Sequence, residues 1–376
     1  MLIIKDGTIN DAVTHYPYKA DILVEEGKIA RVAPSIDQQG AKVVDASGLN
    51  VYPGLVDCSS SLGLGEDRSR LNTVGSNACT PQTRALDGVS PFDPGLAGAV
   101  AAGATTICTG PRTTSVIGGS SVTYKALGKR IDDMVVRSAA AMECAFAEET
   151  GMEDAALLRE ELFKAREYAQ RVDAAMEPVS KKSGETRANP EKLPEFDIRM
   201  NALLPVVRGL MPLRVHATSS SLLFTALRIG REFGLKVVLE YQVDAPQAVE
   251  ELAASGAPIV LVPEADSHNA AVLEPEGWRS PSAFASAGAQ PAIASGNLSL
   301  TSECGLADYA RAAIKQGMSH FDALRAVTAT AASIAGADER CGTISKGKDA
   351  DLVLCEGDLF EAGSIKAVYC GGVQVL

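Results

Sequence analysis

The chain has 376 residues, of which 46% are hydrophobic and 22% are charged, and its formal net charge is −12. This length is too great for one small domain and suits a large barrel with an appended piece. The acidic balance argues against nucleic acid or an anionic membrane as the main partner, and no apolar stretch approaches the roughly 18–20 residues that span a bilayer.

Targeting and cysteine usage predict a cytoplasmic protein. The first residues lack the charged start and apolar run of a secretory signal. The eight cysteines are scattered, without a C-x-x-C pair. Several lie inside apolar runs, so we expect small buried hydrophobic residues in a reducing compartment.

The chain begins with short strands and continues with alternating strands and helices. Residues 2–5, 21–24 and 28–32 read as strands separated by turns. From residue 53 onward, strand-like runs such as 105–109, 213–217 and 236–240 alternate with helical patterns such as 152–177 and 222–233. Repeated βα units predict a parallel sheet and, at this length, an α/β fold of the (β/α)8 TIM-barrel type.

The tail returns to strands, at residues 342–344, 352–355 and 367–375. The most economical topology pairs these strands with the opening ones. We therefore predict a composite β-sandwich domain from residues 1–52 and 340–376, and a barrel from residues 53–339.

Four segments, in order, carry a family resemblance. Residues 53–63 read PGLVDCSSSLG, residues 323–336 read ALRAVTATAASIAG, residues 342–354 read GTISKGKDADLVL, and residues 21–32 match an opening hairpin pattern. Together they resemble the amidohydrolase superfamily over essentially the whole chain, most of all its imidazolonepropionase-related branch.

The resemblance implies a metal-centred barrel plus a small sandwich. It also implies hydrolysis of a carbon–nitrogen, non-peptide bond in a cyclic amide, urea or amidine. In that family a metal lowers the pKa of a water molecule and polarises the scissile carbonyl, and an aspartate on the last strand acts as general base.

Most positions that match the family's metal site hold a different residue type. Ser59 and Ser61 replace the His-x-His pair that follows Asp57 on the first strand. On the fifth strand His216 is retained. On the later strands Tyr241 occupies the position of a histidine and Asn297 that of the aspartate. Lys125 matches the bridging lysine of two-metal members.

These replacements remove electron-pair donors and negative charge. Zinc prefers imidazole, thiolate or carboxylate ligands, and catalytic sites use three protein ligands. Asn297 cannot take a proton near neutral pH. We therefore expect no metal cofactor, with zinc or another divalent ion only if the ligand set has been rebuilt. We also expect a polar pocket at the former metal-site positions, lined by Asp57, Ser59, Ser61, His216, Tyr241 and Asn297.

Three hypotheses remain open. The first is an impaired homologue that binds a small molecule or acts as a partner subunit. The second is an active hydrolase, rebuilt without metal around His216, Lys125, Tyr241 and the serines. The third is a purely structural protein. A serine nucleophile lacks the usual paired His–Asp signature, and His268 with Glu264 and Asp266 could form a relocated metal site. The resemblance also favours a homo-oligomer.

Overall fold

The computed structural model describes most of the chain. It covers residues 1–37, 39–64, 79–111, 115–178, 186–217, 219–241, 246–263, 280–296, 305–361 and 363–376. In these residues every cysteine is free, and all of them except Cys79 are buried, as the sequence predicts. None of the helices in these ranges is long and apolar enough to cross a membrane.

Twenty strands are described, and they fall into three groups along the chain. The first group comprises β1 Leu2–Ile9, β2 Tyr18–Glu25, β3 Lys28–Ala33, β4 Lys42–Asp45 and β5 Leu49–Pro53. The second comprises β6 Leu55–Ser60, β7 Ala104–Thr109, β8 Gly119–Ser120, β9 Val122–Lys125, β10 Val135–Arg137, β11 Met142–Phe146, β12 Met176–Pro178, β13 Thr186–Ala188, β14 Leu213–Ala217, β15 Val237–Tyr241, β16 Ile259–Leu261 and β17 Ala292–Ile293. The third comprises β18 Leu352–Glu356, β19 Ser364–Cys370 and β20 Val373–Gln374.

Ten α-helices are described, all of them in the middle part of the chain. They are α1 Pro94–Ala101, α2 Ile131–Met134, α3 Gly151–Ala174, α4 Ile198–Val207, α5 Ser220–Phe233, α6 Pro246–Ala254, α7 Ser280–Ser286, α8 Leu306–Lys315, α9 His320–Ala326 and α10 Ala329–Ile334. A 3₁₀ turn, Ala85–Asp87, precedes α1. Helix α4 contains Pro205, as the sequence indicates.

Both ends of the chain share one sheet. Its strand order is β20-β19-β18-β5-β1-β2-β3, with β4 paired to β1. The junction is the antiparallel pair of β5 and β18, in which Pro53 lies opposite Leu352 and Leu49 opposite Glu356. Apolar side chains from both ends pack in one cluster, among them Ile4, Ile22, Val51, Leu352 and Leu354. The sheet that begins with β1–β5 is therefore complete only when β18–β20 are paired with it.

The middle strands follow one another round a circuit. Strands β6, β7 and β9 are neighbours in one sheet, and β8, β11, β14, β15, β16 and β17 are neighbours in a second. Strands β8 and β9 are separated only by Ser121, whose amide bonds to Ala141 O at 2.9 Å. The last strand returns to the first through a parallel bridge between Ser60 and Gly296. The circuit is that of a barrel with helices outside.

One segment of this circuit runs against the predicted parallel direction. Strand β9 is antiparallel to β7, and β8 is antiparallel to β11. Only residues 110–118 lie between Thr109 and Gly119. A parallel neighbour needs a crossover of about a dozen or more residues. The short connection therefore reverses the direction of this segment, and β8 and β9 depart from the parallel sheet that the βα pattern predicts.

Alternation along each strand separates two apolar layers. One cluster fills the inside of the barrel and includes Val56, Cys58, Cys108, Val238 and Val260. A second lies between the strands and the outer helices, and contains Val215, Leu239 and Tyr241 together with α3 and α5 side chains. Successive side chains of a strand point to opposite faces, so the sequence position decides whether a residue faces the interior or the helices.

A buried ion-pair cluster joins the barrel to the terminal sheet. The ammonium group of Lys125, at the end of β9, contacts the carboxylate of Asp351 and lies 3.1 Å from that of Asp349. Arg340 also pairs with Asp349, at 2.9 Å. Burial alone lowers the pKa of Lys125, but the neighbouring carboxylates outweigh it and hold the pKa above its ordinary value. The lysine is therefore permanently charged and structural.

We predict that Lys125→Met lowers the free energy of unfolding by about 3–5 kcal/mol, because it leaves a buried carboxylate without its partner. The double variant Lys125→Met/Asp351→Asn should lose less than the sum of the two single changes. Urea unfolding of the wild type and the three variants measures this. Additive losses would show that the pair contributes no coupling energy.

Candidate functional site

A bulge in β6 turns Ser59 toward the inside of the barrel. Asp57 lies opposite Ile107 and Ser60 opposite Thr109, so β6 has one residue more than β7 between the two pairs. An extra residue of this kind re-aims the side chains of the bulged strand. The hydroxyl of Ser59 donates a hydrogen bond of 2.7 Å to Oε2 of Glu240. The first strand is thereby linked directly to β15.

The same carboxylate also contacts His216. His216 and Glu240 are register partners on the parallel strands β14 and β15, and His216 Nδ1 lies 3.2 Å from Glu240 Oε1. An ionised carboxylate only accepts hydrogen bonds, so this contact suits an Nδ1–H group of His216 as the donor. Glu240 is 4% exposed, whereas the side chain of His216 is 30% exposed. The histidine is the part of this group that meets solvent.

A guanidinium lies deeper in the barrel. Arg214 precedes His216 by two residues on β14 and is 1% exposed. Its Nη1 atom lies 3.5 Å from Glu143 Oε1 on β11, and its Nη2 atom lies 3.7 Å from the sulfur of Cys108 on β7. Burial alone disfavours the charged form, but the carboxylates of Glu143 and Glu240 raise the pKa of Arg214. The interior therefore contains a fixed positive charge.

Asp57 lies at the seam where β17 returns to β6. Its carboxylate accepts hydrogen bonds from the backbone N–H of Ser295 at 3.0 Å and from the Ser295 hydroxyl at 2.5 Å. The side chain is fully buried. Burial raises the pKa of Asp57 to about 6, although the bonds from Ser295 oppose this effect. Asp57 thus bonds a backbone group at this seam, and it helps to hold the circuit closed.

The raised pKa of Asp57 makes the stability of the protein pH-dependent. In the unfolded chain this carboxyl group loses its proton near pH 4, and in the folded chain near pH 6. The free energy of unfolding therefore falls as the pH rises through this window, by about 3 kcal/mol from this group.

We predict that Asp57→Asn removes this contribution, since an amide does not titrate but can still accept from and donate to Ser295. Between pH 4 and pH 7, the free energy of unfolding of the variant should rise by about 2 kcal/mol relative to that of the wild type. The control is Asp132→Asn, whose side chain is 70% exposed. An Asp57 variant that follows the wild type at both pH values would contradict the assignment.

Ser61, the second replaced position, is 3% exposed. Its hydroxyl oxygen is buried and has no hydrogen-bond partner among the described residues. The neighbouring segments 65–78 and 297–304 lie outside those residues. Ser61 therefore offers a polar atom at the end of β6 beyond the group formed by Ser59, Glu240 and His216.

Tyr241 does not lie in the pocket that the sequence predicts for it. Its side chain is 2% exposed and packs edge to face on Phe284 of α7, with ring centroids 5.2 Å apart. It belongs to the layer between strands and helices. Because Glu240 points inward, its neighbour in the strand must point outward. The residue that contributes to the site from β15 is Glu240, and the placement of Tyr241 in the pocket was wrong.

Lys125 is likewise not brought to this group. It lies opposite Thr106, and Thr106 lies opposite Val56 near the start of β6. Ser59 is three residues further along β6, or roughly 10 Å at the rise of a strand. Together with its ion pairs to Asp349 and Asp351, this position makes Lys125 a residue of the barrel–sheet junction, so its assignment as a catalytic candidate was wrong.

The donor set in the described part of the barrel does not fit a divalent metal. No group of three or more His, Cys, Asp or Glu side chains that could hold an ion occurs there. His216 supplies one imidazole, hydroxyl groups stand at positions 59 and 61, and a guanidinium lies beneath them. Asn297 and the residues considered for a relocated metal site, Glu264, Asp266 and His268, lie outside the described residues.

Sequence reasoning missed Glu240 and Arg214 as members of this site. Arg214 was identifiable from strand alternation, since residues at i and i−2 share a face. If His216 faces inward, then Arg214 also does. Two further features carry no signal in the sequence. They are the strand register that places Glu240 beside His216 and the bulge that places Ser59 against Glu240. They depend on how neighbouring strands align.

Comparison with known proteins finds a family model and solved structures that are similar to this chain. A family model described as Amidohydrolase family matches residues 242–375. A solved structure of an amidohydrolase from Thermotoga maritima MSB8 is similar over 100% of both chains, with 27% identity and a TM-score of 0.85. A solved D-hydantoinase covers 100% of this chain and 95% of its own, with 17% identity and a TM-score of 0.56. The predicted α/β barrel with an additional domain is confirmed.

Similarity to curated relatives is short. A dihydroorotase from Streptococcus pneumoniae serotype 4 is 46% identical over 57 residues, which is 15% of this chain and 14% of that protein. The match thus spans about a seventh of the relative's length. It carries no assignment of activity to the whole chain.

Proposed function

We propose that this chain, which belongs to the amidohydrolase superfamily, binds a small molecule at the mouth of its barrel and does not catalyse conventional metal-dependent hydrolysis. The observation that supports this is the bond between Ser59 and Glu240. A position that matches a metal ligand holds a hydroxyl group, and that hydroxyl already donates to a carboxylate. The placement in the imidazolonepropionase-related branch and the homo-oligomeric state are further parts of this proposal.

The group at the mouth supports recognition of a polar ligand. Glu240 holds Ser59 and His216 in place, and the side chain of His216 is partly exposed. Ser61 adds a buried hydroxyl without a partner in the described residues. Positioned donors and acceptors at the carboxyl ends of barrel strands are typical of ligand sites in this architecture.

The test begins with protein purified from native cells. We expect elemental analysis to find less than about a tenth of an equivalent of zinc, manganese or iron per chain, and added metal to restore no hydrolysis of lactams or hydantoins. A thermal-shift screen of small polar molecules should find a ligand whose stabilisation is lost in His216→Ala. Stoichiometric metal together with turnover would overturn the proposal.

A second candidate function is a hydrolase that works without metal. The short bond from Ser59 to Glu240 favours it specifically, because a carboxylate can accept the hydroxyl proton as the oxygen attacks a carbonyl. Attack on a cyclic amide would form an acyl ester on Ser59 and break the ring carbon–nitrogen bond, with the proton passing from Glu240 to the leaving nitrogen. Water would then hydrolyse the ester.

For this candidate we predict that metal-free protein hydrolyses a member of the lactam and hydantoin panel. Ser59→Ala and Glu240→Gln should each lower the rate by at least about a hundredfold. Ser47→Ala, on an exposed turn of the terminal sheet, is the matched control. Mass spectrometry should detect an acyl adduct in wild type and none in Ser59→Ala. Activity that survives Ser59→Ala would exclude this mechanism.

A further inference from the structure

The barrel interior contains two charged side chains, Arg214 and Glu143, that the proposed function does not use. Glu143 and Glu240 face it from β11 and β15, and the guanidinium of Arg214 lies between these strands on β14. Glu143 lies level with Arg214 in the register of β11 and β14. Glu240 lies level with His216, two residues further along β14. The guanidinium of Arg214 compensates one of these two negative charges.

We infer that Arg214 occupies the barrel interior as a fixed cation in place of a divalent metal, and that its charge would exclude such a metal even if both first-strand histidines were present. The inference rests on the proposed function, since it explains why the centre carries no metal chemistry. It goes beyond that proposal, because it names Arg214 as the residue that would prevent metal binding even after histidines are introduced at positions 59 and 61.

Position and burial support the exclusion. Arg214 and His216 share the inward face of β14, so their Cα atoms lie about 7 Å apart. The guanidinium is 1% exposed, and water therefore screens its charge weakly. Two positive charges on the metal and one on Arg214 repel each other strongly at such a separation when the surroundings are of low polarity.

The contacts of Arg214 show that it is built into the interior. Glu143 lies 3.5 Å away and Cys108 Sγ 3.7 Å away, and apolar neighbours such as Cys58 and Val238 surround this layer. Arginine remains protonated at any accessible pH. A lysine in this place could become neutral and admit a metal, whereas the guanidinium cannot.

The experiment restores the histidines with and without the cation. Three full-length proteins are compared: the variant Ser59→His/Ser61→His, the same variant with Arg214→Met/Glu143→Gln, and the same variant with Glu143→Gln alone. Removal of Glu143 together with Arg214 avoids an unpaired buried carboxylate. If the methionine form does not fold by circular dichroism, Arg214→Gln/Glu143→Gln replaces it.

The readout is metal binding, independent of activity. Cobalt absorption in the visible range reports the coordination, and competition with a chelator gives the zinc affinity. We expect the variant without Arg214 to bind zinc more than about a hundredfold more tightly than the two that retain it. Equal affinity in all three, or no binding in any, would overturn the inference.

Failure of the proposed function gives a different result. A screen in which no small polar molecule stabilises the wild type would contradict that proposal, while the zinc affinities of the three histidine variants would still differ as stated. Zinc bound equally well with and without Arg214 would contradict the inference alone. The two conclusions are therefore separable.

Discussion

The site depends on the carboxylate of Glu240, which accepts from Ser59 and bonds His216 at the same time. One buried carboxylate thus connects the first strand of the barrel with two strands from its second half. Leaving such a group without its partners is costly, so each partner constrains the others. The charge of Arg214, one layer below, makes this arrangement tolerable in a buried interior.

A buried ionisable side chain also joins distant segments at two other places. At the seam of the barrel, Asp57 accepts from Ser295 and joins β6 to the residues after β17. At the junction with the terminal sheet, Lys125 lies between carboxylates of the tail. In each case, one buried ionisable side chain joins segments that are far apart in the sequence. Charged side chains in this barrel therefore hold the β6–β17 seam together and attach the terminal sheet, in addition to forming the site.

The Amidohydrolase family match and the structural similarity to the Thermotoga maritima protein describe a scaffold. The chemistry on this scaffold is a separate question, because function resides in particular side chains. Here hydroxyl groups, one imidazole, a carboxylate and a guanidinium meet at the mouth and interior. This combination suits hydrogen bonding to a polar ligand better than coordination of a dication.

The sequence by itself determined the barrel, the shared sheet of both chain ends and the presence of Ser59 and Ser61 at the end of the first barrel strand. Strand alternation, turn residues and local motifs suffice to predict these features, because each pattern involves residues that are close together in the sequence. Tertiary structure decided that Glu240 faces the site while Tyr241 faces the helices, that Lys125 docks the terminal sheet, and that β8 and β9 run antiparallel. Register, bulges and chain direction depend on contacts between strands distant in sequence, and a one-residue shift exchanges the two faces of a strand.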